Sequence, residues 1–262
     1  MTVIGFIGTG NMGGALAKAA FRSHEADTIL LANRTRETAE KLAAEINGTV
    51  CDNRTIASKA HYIFLGVKPQ MLNDVYNEIS EDLKQRKYRY VIVSMLAGKS
   101  LDTLKSLFGN VPIIRVAPNM PAIVGSGLTL FTANDQVTPE EKNFFNKLMA
   151  PSGTVEETDE GTLVTSDGVK GCGPAFAAMF VEGLADGAVA CGLPRAKAIK
   201  YAAEMMKGTA EMLLETGMHP GQLKDSVCSP GGSTIQGVRK LEENGFRAAL
   251  IDAVIATFEK KF

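Results

Sequence analysis

The chain has 262 residues, 45% of them hydrophobic and 22% charged, a mix that excludes disordered, collagen-like and disulfide-dense builds. At about 150 residues per domain, this length predicts two modest domains or one large one. Lys plus Arg is 28 against 29 Asp plus Glu, a net charge of −1, so no global field attracts nucleic acid or anionic lipid and any anionic ligand must be caught locally. Up to about residue 157, short β-rich runs alternate with amphipathic stretches, the pattern of a parallel, doubly wound sheet. Strands are predicted at 3–7, 29–32, 62–66, 90–94, 113–116 and 128–131, and helices at 14–23, 36–46, 69–83 and 139–149. The β-rich runs end near residues 154–156, which puts the domain boundary at 157–163. Beyond it only helices are predicted: 174–191, opened by Pro174 and closed by Gly192 and Pro194, then 195–215, 234–243 and 246–262. The division is residues 1–160 and residues 161–262. Gly183 and Gly187 stand four apart on one helix face near Ala178 and Ala190, and the helices of this half carry wide apolar faces, so two copies are expected to associate through it.

Cys51, Cys172, Cys191 and Cys228 form no C-x-x-C pair, and His24, His61 and His219 are equally scattered, so no metal site is expected. No basic n-region or signal-length apolar run opens the chain. The apolar stretch 175–191 carries Glu182 and Asp186, which are costly in lipid. The expectation is a cytoplasmic protein with reduced thiols.

The strongest local signal is Gly8-Thr9-Gly10-Asn11-Met12-Gly13, directly after a predicted strand and opening a predicted helix. Gly8 permits a tight turn, Gly10 lets backbone approach a pyrophosphate, and Gly13 lets helix and strand pack closely, with the phosphate on the helix N-terminus. This context predicts a Rossmann-type α/β dinucleotide-binding domain, in which Asn11 and Met12 are cofactor-binding with the glycines; a ligand-free glycine turn is the alternative. The second strand of such a unit usually ends in an acid that binds the ribose 2′-hydroxyl. Here it ends Asn33-Arg34-Thr35. Asn33 takes the acid's place and Arg34 can pair with a 2′-phosphate, which favours NADPH with NADH as a second donor, against the alternative of a solvated surface arginine. Val67-Lys68-Pro69, Ala97-Gly98 and the run from Arg115 to Pro121, which includes Asn119, all follow predicted parallel strands, the edge where ligands sit. They are assigned to the nicotinamide half of the pocket, although each alone also reads as ordinary loop chemistry, Lys68 above all.

In the helical half, Ser229-Pro230-Gly231-Gly232-Ser233-Thr234 precedes a helix. Free backbone N–H groups at Gly231 and Gly232, two hydroxyls and a positive dipole end suit a small carboxylate. The other reading is an N-cap by Ser233 after a flexible glycine turn.

The whole chain resembles the pyrroline-5-carboxylate reductases. The likeness lies in Gly5-Phe6-Ile7-Gly8-Thr9-Gly10-Asn11-Met12-Gly13, Val67-Lys68-Pro69-Gln70, Val116-Ala117-Pro118-Asn119-Met120-Pro121 and Gly171-Cys172-Gly173-Pro174-Ala175, and most specifically in His219-Pro220-Gly221-Gln222-Leu223-Lys224-Asp225 with Cys228-Ser229-Pro230-Gly231-Gly232-Ser233-Thr234-Ile235. The resemblance implies reduction of the cyclic imine Δ1-pyrroline-5-carboxylate to L-proline by NAD(P)H, the last step of proline synthesis. It also implies an all-α C-terminal dimerisation domain that swaps and interleaves with its partner's, often within larger rings. Gly231, Gly232, Ser233 and Thr234 would then bind the substrate carboxylate, and the Thr234 hydroxyl would reach the ring nitrogen as the catalytic contact. Where the family more often reads Ser-Gly-Ser-Gly-Pro-Ala, this chain has Lys170 and Cys172 at the first and third positions. A protonated imine already carries the charge that makes its carbon electrophilic, so alignment of two rings suffices and no acid–base side chain is compulsory. A β-hydroxyacid dehydrogenase shares the fingerprint, but its catalytic lysine position holds Ala177 here. A non-catalytic NAD(P)H-binding regulator has no use for the loop at 230–234.

Overall fold

A computed structural model describes residues 2–259. Its chain divides into two compact units between Asp167 and Gly168. In the first unit the elements are β1 (Val3–Ile7), α1 (Asn11–Ser23), β2 (Thr28–Ala32), α2 (Arg36–Ile46), β3 (Thr49–Val50), α3 (Asn53–Lys59), β4 (Tyr62–Leu65), α4 (Leu72–Lys84), β5 (Val91–Ser94), α5 (Leu101–Phe108), β6 (Ile113–Ala117), β7 (Gly127–Ala133), α6 (Pro139–Met149), β8 (Gly153–Glu157) and α7 (Glu160–Thr165), with 3-10 turns at Pro69–Met71, Met120–Val124 and Ala150–Ser152. The strands form one sheet ordered β3-β2-β1-β4-β5-β6-β7-β8. From β1 the chain winds outward to β2 and β3, then returns to β4 on the other side. The reversal between β1 and β4 opens a crevice at their carboxyl ends, the usual ligand position in such sheets.

β1, β2, β4 and β5 are nearly all apolar because both faces of the sheet are covered. On one face Phe6 stacks on Phe64, with ring centroids 4.4 Å apart, and Phe131 meets Phe145 edge-on at 4.9 Å. On the other, Ile63, Leu65 and Ile92 are buried with Ile56 of α3, Ile79 of α4 and Leu104 of α5. Gly5 is required by this closeness: a Cβ there would lie 2.3 Å from Ile56 Cγ2.

Two expectations are corrected. The sheet is not wholly parallel, because β7 runs antiparallel to β6; the connection at 118–126 is shorter than the dozen or more residues that a parallel crossover needs. β8 then pairs parallel with β7, after a crossover through α6. The first helix begins at Asn11 rather than at 14, so the glycine fingerprint forms its opening turn. Glu160 at the head of α7 is ion-paired to Arg115 of β6 at 2.6 Å, so the compact first unit runs on to Asp167.

The second unit contains α9 (Gly173–Ala190), α10 (Arg195–Thr216), α11 (Pro220–Ser226), α12 (Ser233–Glu243) and α13 (Phe246–Glu259), preceded by the short α8 (Asp167–Lys170) at the junction. Residues 260–262 of the helix expected over 246–262 lie outside the described residues. α9 and α10 pack together and are tied by an Asp186–Arg195 ion pair. Phe180 of α9 meets Phe246 of α13 at 5.9 Å. Among the described residues the apolar side chains buried here are Ala185, Ala198, Ala202 and Leu223 alone. Met179, Met205, Leu214, Leu250, Ile251 and Ile255 stay exposed, Leu214 to 85%. No described helix is long and apolar enough to cross a membrane.

Candidate active site

The crevice at the β1/β4 reversal is a cleft of about 540 Å³. It gathers Gly8, Gly10, Asn33, Arg34, Val67 and Lys68 from the predicted cofactor residues. Each glycine has its own geometric reason. Gly8 has φ +96°, and a Cβ on it would lie 2.6 Å from the Gly66 carbonyl carbon. A Cβ on Gly13 would sit 2.0 Å from the Gly8 carbonyl oxygen, so only glycine lets α1 approach β1 this closely. Gly10 is different: a Cβ there meets nothing within 4 Å, which leaves room against bare backbone.

The α1 N-terminus has no side-chain cap and no acid in its first turn, so the N–H groups that an α-helix leaves unpaired remain available to an anion. Beside them the Thr9 hydroxyl is buried without a hydrogen-bond partner. Open space at Gly10, an uncapped helix start and an orphaned hydroxyl fit a dinucleotide pyrophosphate.

Asn33, at the cleft, is held by two hydrogen bonds of its own side chain. Its Oδ1 accepts from the Thr9 N–H at 3.1 Å and its Nδ2 donates to the Thr35 carbonyl at 3.0 Å. The amide therefore braces the fingerprint loop against the loop that carries Arg34. Arg34 is exposed at the cleft. Cys51, Asp52 and Asn53 also line this cleft, as do Asp74 and Glu78 of α4, and the sequence analysis missed all of them. Burial, then the neighbouring Asp52 carboxylate, push the Cys51 thiol up, which keeps it neutral. Asn53 donates to Glu78 Oε2 at 2.7 Å. The signal for this loop was the Asp52-x-x-Thr55 cap, in which Asp52 accepts from the Thr55 N–H at 2.7 Å.

Pro69 opens a 3-10 turn directly after Lys68. Ala97 is exposed at the tip of a turn closed by Lys99 N–H donating to the Leu96 carbonyl at 3.3 Å, with Gly98 at φ +70°. Arg115 and Val116 lie in β6, as expected of the strand at 113–116; β6 runs one residue further to Ala117, and the loop starts at Pro118. Asn119 Oδ1 accepts from the Leu128 N–H at 2.9 Å. Asn11, Met12 and Gly13 form the first turn of α1.

The second unit presents the other predicted group. Gly232 is the N-cap of α12, without a side-chain cap, and Ser233 and Thr234 are its first two helical residues. Ser233 is thus not the cap, and both hydroxyl residues are exposed. Gly231 sits at φ +70°. Gly232 lies so near Ser229 that a Cβ would be 2.4 Å from the Ser229 Oγ. The loop therefore delivers bare backbone to an open helix start. Among the described residues no group of three His, Cys, Asp or Glu side chains could hold a metal ion.

Residues 160–261 match the family model for pyrroline-5-carboxylate reductase dimerisation, and residues 3–98 match one described as NADP oxidoreductase, coenzyme F420-dependent. The pyrroline-5-carboxylate reductase of Escherichia coli K12 is 41% identical over 261 residues, covering 98% of this chain and 96% of its own. That of Glycine max is 36% identical, covering 98% and 94%. The solved pyrroline carboxylate reductase of Plasmodium falciparum, with NADP bound, superposes with a TM-score of 0.86 at 29% identity, covering 99% of this chain and 98% of that one.

Proposed function

Because this chain belongs to the pyrroline-5-carboxylate reductases, oxidoreductases that reduce Δ1-pyrroline-5-carboxylate to L-proline with a nicotinamide cofactor in the final step of proline synthesis, we propose how its own residues divide that work. The first unit holds NADP(H). Gly8, Gly10 and Gly13 shape the cradle, the first-turn backbone of Asn11 and Met12 receives the pyrophosphate, and Arg34 pairs with the 2′-phosphate through charge-assisted hydrogen bonds. Asn33 keeps those two regions in register. Val67, Lys68 and Pro69, with the loops carrying Ala97 and Asn119, form the nicotinamide side. When bound, the cofactor supplies a hydride.

The second unit binds the substrate. The observation that carries this reading is the open start of α12, whose first-turn N–H groups at Ser233 and Thr234 no side chain caps, while the Gly232 N–H is spent on the Ser229 carbonyl at 3.0 Å. A carboxylate is stabilised there by the orphan N–H groups and the helix dipole. Thr234 then offers its hydroxyl to the ring nitrogen. The exposed apolar faces of α9, α10 and α13 support a homodimer through this unit, the near-neutral charge offers no field to attract nucleic acid or membrane, and the unpaired cysteines support a cytoplasmic enzyme.

Thr234→Val removes the hydroxyl and keeps the shape. It is expected to lower kcat/KM for pyrroline-5-carboxylate by about ten- to a hundredfold, the loss of one hydrogen bond to a charged substrate at about 1.5–3 kcal/mol. NADPH affinity should hold. Full activity in the variant, or joint loss of cofactor and substrate binding, would move the carboxylate site elsewhere.

A further inference from the structure

We propose that Glu160 is a positioning residue for hydride transfer, because one carboxylate oxygen ties the start of α5 to a side chain of β6, the two elements that flank the loops assigned above to the nicotinamide half. The inference rests on that assignment. Glu160 Oε1 accepts from the Leu101 backbone N–H at 2.9 Å and from Arg115 Nη1 at 2.6 Å. Leu101 is the first residue of α5, so its N–H has no partner inside the helix. The N-cap Ser100 spends its hydroxyl on the Thr103 N–H at 3.1 Å, which leaves the Leu101 donor to Glu160. Arg115 stands within β6, its side chain 9% exposed, opposite Ser94, the last residue of β5. A guanidinium this deep requires an ionised partner to offset its lost hydration, and Glu160 brings one from α7.

The two anchors lie a short way along the chain from Ala97 and Asn119. Ala97 precedes Leu101 by four residues, through the turn closed between Leu96 and Lys99. Asn119 follows Arg115 by four residues and is itself tied to Leu128 of β7. The Glu160 carboxylate therefore links the α5 end of the first loop to the strand that leads into the second. Hydride transfer depends on reacting atoms held within tenths of an ångström, and a misplacement of about 1 Å costs about a hundredfold in rate. The pyrophosphate and 2′-phosphate contacts arise elsewhere, at Gly10 and Arg34, so this brace affects the reacting ring far more than cofactor affinity.

The test compares Glu160→Gln with Ala97→Leu in the full-length enzyme, using pyrroline-5-carboxylate with NADPH and with NADPH deuterated at the transferred position. Glutamine keeps the size and an acceptor oxygen but removes the charge that holds Arg115. We expect kcat to fall about tenfold or more and the deuterium isotope effect on kcat to grow, while KM for NADPH stays within about twofold. A variant that melts earlier yet keeps kcat and its isotope effect gives Glu160 a purely structural role and overturns the proposal. If Ala97→Leu lowers kcat and Glu160→Gln does not, the proposal fails alone. If Ala97→Leu leaves kcat intact, the nicotinamide assignment fails with it. Should Glu160→Gln not fold, Arg115→Lys, which keeps the charge and loses the fork, is judged by the same readouts.

Discussion

Gly10→Ala separates the cofactor role of the fingerprint from its folding role. The backbone at Gly10 has φ −67° and ψ −164°, which alanine adopts freely, and the new methyl would meet no atom within 4 Å. Two stability terms then oppose each other. Restricting the unfolded chain gains about 0.4–1 kcal/mol, and alanine at an N-cap loses about the same relative to glycine. The residual of roughly 0.5 kcal/mol, at about 2–4 °C per kcal/mol, keeps the melting midpoint of the first unit within about 2 °C. The methyl nevertheless occupies the space beside bare backbone where the pyrophosphate must come close, and a loss of about 1.4 kcal/mol there raises Kd for NADPH about tenfold. Gly13→Ala behaves differently. Its Cβ would sit 2.0 Å from the Gly8 oxygen, 1.0 Å inside the 3.0 Å that real contacts keep, so α1 must move. Overpacking of about 2 kcal/mol lowers the midpoint by about 4–8 °C, and affinity falls as well. Thermal melts without cofactor and NADPH titrations followed by nicotinamide fluorescence measure both quantities. Unchanged NADPH affinity in Gly10→Ala would refute this account of the cradle.

Arg34→Ala should raise KM for NADPH far more than for NADH in steady-state assays, since only the 2′-phosphate is lost; equal losses for both would return Arg34 to the solvent. Asp159 caps α7, accepting from the Thr162 N–H at 2.9 Å and its hydroxyl at 2.6 Å, and these bonds hold its carboxyl below the usual range. A pKa lower in the folded state than in the unfolded one adds stability that is present above the ordinary value of about 3.9 and is lost as pH falls through the folded value. Asp159→Asn should therefore melt lower than the parent at neutral pH, and the gap should close in acid, as followed by pH-dependent melts. Light scattering at micromolar concentration should report a dimer or a larger assembly, and a stable monomer would contradict the association read from the second unit.

Much of this architecture was legible because period and punctuation agree. Val3–Ile7 and Arg36–Ile46 have the predicted bounds, since each combines a clear hydrophobic period with a breaker at its end. β3 escaped because Thr49–Val50 has two residues, too few to show alternation. α3 and α11 escaped because seven residues span only two turns. The direction of β7 was hidden in a loop length rather than in its own residues. At the site, the fingerprint was visible because its glycines answer local geometry. The meeting of Glu160 with Leu101 and Arg115 spans 59 and 45 residues, and no local pattern announces such a contact.

The sparse core of the second unit ties its folding to the amount of protein present. Among the described residues three of its four buried apolar side chains are alanines, which offer little surface to remove from water, so the fold of one copy draws its stability from whatever covers α9, α10 and α13. Stability of this kind follows mass action. The melting midpoint of the second unit should climb with the logarithm of total protein, whereas that of the first, with its own phenylalanine core, should not. Newly made chains would pass through a stage in which the first unit is already folded and the second waits for a partner, making low abundance, rather than heat, the condition under which activity first disappears.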